Sequence, residues 1–119
     1  MNPENLDYLV YIDDMLDAVR FIKRHTKGLS KAQFFQNELV FEAVLRNIEL
    51  VGEAASRIPE NVRAKYPKIP WKKIVGTRNK LIHSYRDVNP DIVWEVIEKD
   101  LDSLEKQLKE INIKPEGKV

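Results

Sequence analysis

Apolar residues recur every three or four positions along almost the whole chain, and this period constrains the fold more than any other feature. No stretch of useful length alternates apolar and polar residues, and no internal repeat is present. Glycine is rare, with four in the chain. The pattern predicts an all-α protein, an up-and-down four-helix bundle with one short extra helix.

Two proline-containing signals predict where the outer helices begin. Asn2-Pro3-Glu4 and Asn89-Pro90-Asp91 each combine a capping asparagine, a proline at the first helical position and an acid in the first turn. The first helix is expected to end near Thr26, because Gly28 suits the left-handed conformation that follows many helices. The predicted inner faces are Leu6, Leu9, Val10, Met15, Leu16, Val19 and Ile22 in the first helix and Ile92, Val93, Val96, Ile97, Leu101, Leu104 and Leu108 in the last.

The middle of the chain predicts two further helices. Ser30 and Gln33 form a capping box that opens a helix running to about Arg57. Prolines then interrupt the chain, leaving a short turn of helix at residues 60–65 before the third long helix begins at Pro70. Glycine weakens the interior of a helix by about 1 kcal/mol relative to alanine, so Gly52 indicates close approach of another helix.

Composition places the chain in a broad class. Its 119 residues suffice for one domain with a real core, predicted at residues 1–112 with a flexible tail at 113–119. The absence of cysteine excludes disulfides and thiolate metal sites. Neither a signal peptide nor an apolar run of the ~20 residues needed to cross a bilayer is present, so a cytoplasmic location is expected.

The net charge of +1 conceals a segregation of charge. Residues 61–86 contain eight lysines and arginines and no acid, whereas residues 87–110 contain eight acids and three lysines. A basic segment of this kind fits a polyanionic partner. Neutralisation in space by the acidic last helix would explain it equally well, and both interpretations stay open at this point.

Arg78 stands out within the basic segment because it occupies an otherwise apolar stripe. At helical spacing it shares a face with Trp71, Ile74, Val75, Leu81, Ile82 and Tyr85. Burying a guanidinium costs several kcal/mol unless it is paired, so either an acidic partner or a cleft that binds an anion is expected opposite it. Asn79 and His83 follow on one flank of the same helix.

Each of these residues also has a purely structural explanation. Arg78 could pair with an acid of the second helix, such as Glu53 or Glu49. His83 could make a capping or core hydrogen bond near the end of its helix, and Tyr85 could simply end the apolar stripe. A pocket is nevertheless favoured, because three polar residues beside an apolar seam and inside an acid-free segment require several coincidences.

Arginine and histidine are the residue types that phosphodiester cleavage without a metal would require. Arginine binds phosphate bidentately and keeps its charge, and histidine transfers protons near neutral pH. Five residues turn a helix through about 500°, so Arg78 and His83 lie about 140° apart. They would therefore converge only at a helix end or across the interface of a two-fold dimer.

Other chemistry finds little support in the sequence. His25 has no partner at metal-ligand spacing, and Asp13, Asp14 and Asp17 are expected to form a solvated face. Trp71 and Trp94 are interpreted as core or interface residues, and Asn47 as a buried amide in need of a partner. No glycine-rich phosphate loop or nucleophile elbow is present.

The motif Arg-x4-His-x-Tyr at Arg78, His83 and Tyr85 resembles that of the HepT group of HEPN proteins. Ile69-Pro70-Trp71 precedes it, Gly52-Glu53-Ala54-Ala55 lies further upstream, and Asn79 matches the polar residue that usually follows the HEPN arginine. The resemblance spans most of the chain, from the first helix to Trp94, and implies a HEPN-like helical fold.

The resemblance implies an endoribonuclease toxin that acts as a homodimer and is paired with a small nucleotidyltransferase antitoxin, usually called MntA. Arg78 and His83 would be catalytic, with Asn79 and Glu53 in supporting roles. Tyr85 would accept AMP units from ATP, transferred by the antitoxin. No metal or other cofactor is implied.

Two other functions remain open from the sequence. The chain could be a non-enzymatic HEPN accessory subunit that binds nucleotide or substrate for a partner nucleotidyltransferase. It could also be an interaction bundle in which Arg78 only closes a salt bridge.

Overall fold

Most of the residues that the structure describes lie in helices. The computed structural model describes the backbone of residues 4–83 and 88–117, and the side chains of residues 8–81 and 88–111. Within these ranges no strand occurs. In chain order the α-helices are α1 (Glu4–Thr26), α2 (Lys31–Gln36), α3 (Glu38–Ser56), α4 (Glu60–Lys65), α5 (Trp71–His83), α6 (Pro90–Glu95) and α7 (Leu101–Gly117).

The long helices form the predicted bundle. α1 packs against both α3 and α7, and α5 packs mainly against α3. The α1–α7 pair is antiparallel, because Arg20 bonds to Glu105 at 3.2 Å while Lys23, further along α1, reaches back to Asp102 at 2.7 Å. α4 is the expected short extra helix. The all-α four-helix prediction is confirmed.

The fourth long helix contains a feature that the sequence did not predict. α6 and α7 are joined by a π-helical turn at Val96–Asp100, whose flanking residues Glu95 and Leu101 keep helical dihedral angles. The three segments therefore form one continuous helix with a single wide turn. The predicted start of this helix is confirmed, since the Asn89 side chain accepts a hydrogen bond from the backbone N–H of Asp91 at 2.9 Å.

The predicted second helix is wrong as a single element, because it breaks at Asn37. The Asn37 backbone is extended, and its side chain accepts a hydrogen bond from the backbone N–H of Val40 at 3.1 Å, which caps α3. Asparagine favours a cap over a helix interior. The break lets α2 bring Phe34 fully into the core, with its ring 5.3 Å from that of Phe41 and 5.5 Å from that of Trp94.

Two other helix ends match their predictions. The Ser30 capping box is present in full, with the Ser30 hydroxyl accepting from the Gln33 N–H at 3.1 Å and the Gln33 side chain accepting from the Ser30 N–H at 2.9 Å. α1 ends at Thr26, and Gly28 has a φ of 80°. The predicted cap at Asn2 and Pro3 lies outside the described residues.

The core forms where α1, α3 and α7 meet, and most of the predicted inward residues are in it. Val10 and Ile92 are corrections, being 59% and 44% exposed. The buried line of α1 runs instead through Ile12, which puts Val10 on the other side, and in α6 the neighbouring Val93 is the residue that faces inward. The side chain of Leu6 lies outside the described residues.

Two further expectations concern the C-terminal tail and membrane-spanning helices. The last residue of α7 is Gly117, and the division into a domain at 1–112 and a flexible tail at 113–119 stays a prediction. In the described part of the chain, none of the helices is both long enough and apolar enough to cross a membrane.

Candidate active site

Gly52 fixes the position of α5 on the bundle. A Cβ atom built on Gly52 would lie 2.1 Å from the Cβ of Arg78, 2.8 Å from its Cγ and 3.2 Å from the backbone oxygen of Ile74. Contacts this short do not occur between real side chains, so only glycine lets the two helices approach so closely. The predicted close approach at Gly52 is confirmed, and the residue that fills the space is Arg78.

Hydrophobic anchors hold the two ends of α5. Trp71 is 7% exposed and donates a hydrogen bond from its Nε1 to the backbone oxygen of Tyr66 at 3.1 Å, and Leu81 is 5% exposed. Between them Ile74 and Val75 are only half-buried. Arg78 therefore lies on a helix that is firmly anchored but not enclosed by the core.

The guanidinium of Arg78 has few partners within the chain. Among the described residues its Nε is buried without a hydrogen-bond partner, and its Nη1 donates to Oδ1 of the neighbouring Asn79 at 3.0 Å. Among the side chains that the structure describes, no carboxylate forms an ion pair with it. A buried donor without an acceptor costs about 1–3 kcal/mol, so the fold alone does not account for this arginine.

The acids proposed as structural partners of Arg78 are engaged with other residues. Glu53 lies 3.5 Å from Arg57, one turn further along α3, and Glu49 lies 4.0 Å from Arg46. The salt-bridge explanation of Arg78 therefore fails for both of the acids that were named for it. Glu53 follows Gly52 directly and is half-buried, and its side chain lines a groove between α1 and α3.

The structure brings together part of the predicted site. Arg78 and Asn79 are in direct contact, and Glu53 is adjacent in sequence to the glycine on which Arg78 packs. His83 is the last residue of α5, but its side chain lies outside the described residues. Tyr85 lies wholly outside them. The roles expected for all five residues stay predictions.

The acidic last helix neutralises little of the basic segment in the folded structure. Lys65, Lys68, Lys72 and Lys80 are exposed. Lys73 bonds to Asp100 at 3.2 Å, and within the described part of the chain this is the one ion pair that joins the basic segment to the acidic one. The acids of the last helix pair mainly with α1 and α2, through Arg20, Lys23 and Lys31. Neutralisation by the last helix therefore explains little of the segregation.

The charged cluster between α1 and α7 perturbs the acidity of its members. The hydrogen bonds that Lys23 donates to Asp102 and Glu105 raise the pKa of Lys23. The hydrogen bond from Lys23 in turn lowers the pKa of Asp102 and that of Glu105. This cluster ties α7 to α1.

The remaining polar candidates have structural explanations. His25 stacks on Phe21 with ring centroids 4.1 Å apart, and its Nδ1 lies 2.9 Å from the Phe21 backbone oxygen. Asn47 donates from Nδ2 to the backbone oxygen of Ala43 at 2.8 Å, so the buried amide finds a partner. The aspartates at positions 13, 14 and 17 are exposed, as expected. Within the described ranges, no group of three His, Asp or Glu residues could hold a metal ion.

A groove between α1 and α3 was missed by the sequence reasoning. It has a volume of about 650 Å³, and Tyr11, Phe21, Leu50 and Arg57 are among the residues that line it. Asn47, Leu50, Ala54 and Arg57 repeat at three- and four-residue spacing along one face of α3, and this second face was the available signal.

Comparisons with known proteins indicate the family of the chain. Residues 15–111 match the family model described as ribonuclease HepT-like. A protein of Caldanaerobacter subterraneus named "Putative RNase" is 42% identical over 101 residues, covering 85% of this chain and 90% of that protein. A Methanocaldococcus jannaschii protein of the same name is 37% identical over 112 residues, covering 94% of this chain and 93% of that one.

A third relative carries the family name itself. A Thermococcus cleftensis protein named "Probable ribonuclease HepT" is 32% identical over 94 residues, which cover 79% of this chain and 86% of that protein. No solved structure matches the chain. The model match and the relatives together show that the chain belongs to the HepT-like ribonuclease family.

Proposed function

We propose that this protein is a metal-independent endoribonuclease and the toxin of a toxin–antitoxin pair. The observation that carries the proposal is the Arg78 guanidinium, which has a buried Nε without a partner and no carboxylate beside it in the described structure. An RNA phosphate supplies the negative charge and the acceptors that such a group requires. Membership of a ribonuclease family supports RNA as the polyanion.

The proposed reaction is an in-line transfer within the RNA strand. The ribose 2′-hydroxyl attacks the adjacent phosphorus, and its proton passes to a neutral imidazole of His83. The bond from phosphorus to the 5′-oxygen breaks, and that oxygen takes a proton from an imidazolium. The products are a 2′,3′-cyclic phosphate and a 5′-hydroxyl. Arg78 stabilises the charge that develops on the phosphorane oxygens, and Asn79 orients the guanidinium.

A homodimer resolves the geometric difficulty of the motif. Arg78 and His83 lie about 140° apart on a regular helix, so one copy of α5 does not direct both side chains at the same point. Two copies around one cleft would provide two histidines, one as base and the other as acid. In this proposal Glu53, which follows Gly52 on α3, has a supporting role.

The proposed partner is a nucleotidyltransferase antitoxin that modifies Tyr85. The tyrosine oxygen attacks the α-phosphate of ATP, AMP is transferred, and pyrophosphate leaves. Tyr85 is seven residues beyond Arg78, two helical turns along the same face if the helical period continues, so added phosphates could occupy the guanidinium and exclude RNA.

Cleavage of single-stranded RNA by purified protein in the presence of EDTA tests the proposal. Wild type should cut the RNA, and Arg78→Ala and His83→Ala should each be at least about 100-fold slower. Arg46→Ala is the matched control, because Arg46 is an exposed arginine on α3 that lies 4.0 Å from Glu49 and not beside a proposed site residue. Intact RNA after incubation with wild-type dimer would favour the accessory-subunit function instead.

Mass spectrometry tests the antitoxin part of the proposal separately. On co-expression with the proposed nucleotidyltransferase partner, the peptide that contains Tyr85 should gain mass in AMP-sized steps. Tyr85→Phe is the control and should gain none. An unmodified Tyr85 peptide in the presence of an active partner would contradict this part of the proposal and leave the nuclease part standing.

A further inference from the structure

Two glycines inside described helices differ in what surrounds them. Gly52 is required because Arg78 occupies the space where its Cβ would lie. Gly76, near the middle of α5, has no described atom within 4 Å of a Cβ built on it. Glycine weakens a helix interior relative to alanine, and packing within the described chain gives no reason for it at position 76. Its missing side chain leaves a notch in the surface of α5.

The notch lies in line with Asn79 and with the backbone of His83, and about 160° around α5 from Arg78. At about 100° per residue, Lys72, Gly76, Asn79 and the backbone position of His83 fall within about 60° of arc on α5. Lys72 and Asn79 are both exposed, and they are separated by roughly 10 Å along the helix axis. A ligand that contacts Asn79 and Lys72 together therefore passes beside Gly76.

The charge of α5 indicates the kind of ligand. The helix carries Lys72, Lys73, Arg78 and Lys80 and no acid. Lys72 and Lys80 are exposed, and Gly76 also borders a groove of about 600 Å³ between α5 and α6. A basic surface with a notch free of side chains fits a phosphate backbone that lies close to the helix.

We propose that Gly76 is the point where the RNA strand crosses α5, with Lys72 binding a phosphate on one side of the notch and Asn79 contacting the strand on the other. For the identity of the strand, this inference rests on the ribonuclease function proposed above. Gly76 and Lys72 position the substrate and take no part in proton transfer. A side chain at position 76 would lift the strand off the helix and misplace the scissile phosphate.

The test measures binding and folding together. The probe is a single-stranded RNA with 2′-O-methyl riboses, which lacks the attacking hydroxyl. Gly76→Ala should raise the melting temperature by about 4 °C, because alanine is the better helix former and has room. The same substitution should weaken RNA binding about tenfold, and Gly76→Leu should weaken it further. A change that stabilises the protein yet loses affinity cannot be explained by damage to the fold.

Lys72 has a matched control on another helix. Lys72→Ala should lower the slope of log affinity against log salt by about one, since one phosphate contact is lost. Lys109→Ala removes an equally exposed lysine from α7 and should leave both slope and affinity unchanged.

Two results would overturn the inference. One is RNA affinity of the Gly76 variants equal to that of wild type. The other is a Gly76 variant whose oligomeric mass on sedimentation changes while its RNA affinity stays intact. In that case the notch would bind a second copy of the chain. If the Gly76 variants lose affinity but wild type leaves unmodified RNA uncut, the strand position stands and the proposed cleavage activity fails.

Discussion

At position 78 the chain packs the stem of an arginine against Gly52 of α3, and the effects of this residue on stability and on chemistry run in opposite directions. The aliphatic stem of Arg78 fills the space that Gly52 leaves. Within the described structure the head group keeps a buried donor without an acceptor, which no hydrophobic residue would have at this position. Such a conflict between local stability and residue choice is typical of a functional site.

Replacing Arg78 by leucine is therefore predicted to stabilise the protein while removing its activity. The stem contact is largely kept and the unpaired buried donor is lost, so the free energy of unfolding should rise by about 1 kcal/mol. Urea denaturation followed by circular dichroism measures this change. A loss of several kcal/mol would instead mean that the guanidinium is paired within the fold, as in the interaction-bundle interpretation.

Gly52 and Gly76 form a natural pair for a second prediction. Gly52→Ala should lower the free energy of unfolding by about 1–3 kcal/mol, because the new methyl group meets Arg78 and α5 must move away from α3. It should also abolish RNA cleavage by displacing Arg78. Gly76→Ala makes the same chemical change where there is room, so it should be at least as stable as wild type. Equal stability of the two variants would contradict the packing account.

The sequence predicted residue positions better than residue contacts. The period of α5 placed Arg78 in an apolar stripe, and the cost of a helical glycine indicated close approach at Gly52. Periodicity could not show that Asn79 accepts from Arg78, because that bond joins adjacent residues through their side-chain conformations. Nor could it show that Glu49 and Glu53 each pair with an arginine close along the chain rather than with Arg78.

At the scale of the element, the helix starts were predictable and the irregularities were not. Prolines and capping boxes act locally, so Ser30 and Asn89 could be assigned from neighbouring residues alone. The break at Asn37 depends on packing Phe34 against Phe41 and Trp94, which are distant in sequence or in another helix. The π turn at Val96–Asp100 has no local signal at all.

The contact between α1 and α7 should make stability depend on pH. Lys23 lowers the pKa of Glu105 and Asp102, so the native state binds fewer protons than the unfolded chain in acid. The stabilisation that these ion pairs provide is fully present above the carboxyl pKa of the unfolded chain, about 4. It is lost as pH falls through the lowered carboxyl pKa values of the native state. Lys23 has a raised pKa, so its own contribution is lost only at high pH, as pH rises through that value.

Lys23→Met should therefore flatten the acid side of the stability curve. Melting temperatures between pH 3 and pH 7 should fall less steeply for this variant than for wild type. Lys109→Met serves as the control, because Lys109 is an exposed lysine of α7 outside the cluster. Identical profiles for wild type and Lys23→Met would show that the ion pairs contribute nothing to stability in solution.

At the scale of the whole molecule, the arrangement of charge follows from which helices meet. α7 packs on α1 and its acids pair there, while α5 packs on α3 and leaves its lysines exposed. Charge counts along the chain could not decide between neutralisation and an exposed basic surface, because that choice depends on the order of helices in the bundle. The family resemblance reached the correct fold, since its motifs span most of the chain.

Single-turnover cleavage of a defined single-stranded RNA, with the product ends identified by mass spectrometry, tests the central role of Arg78 most directly. Wild type should leave 2′,3′-cyclic phosphate ends, and Arg78→Lys should cut at least about 100-fold more slowly, because lysine keeps the charge but not the bidentate geometry. Cleavage by Arg78→Lys at the wild-type rate, or products with 5′-phosphate ends, would contradict the account.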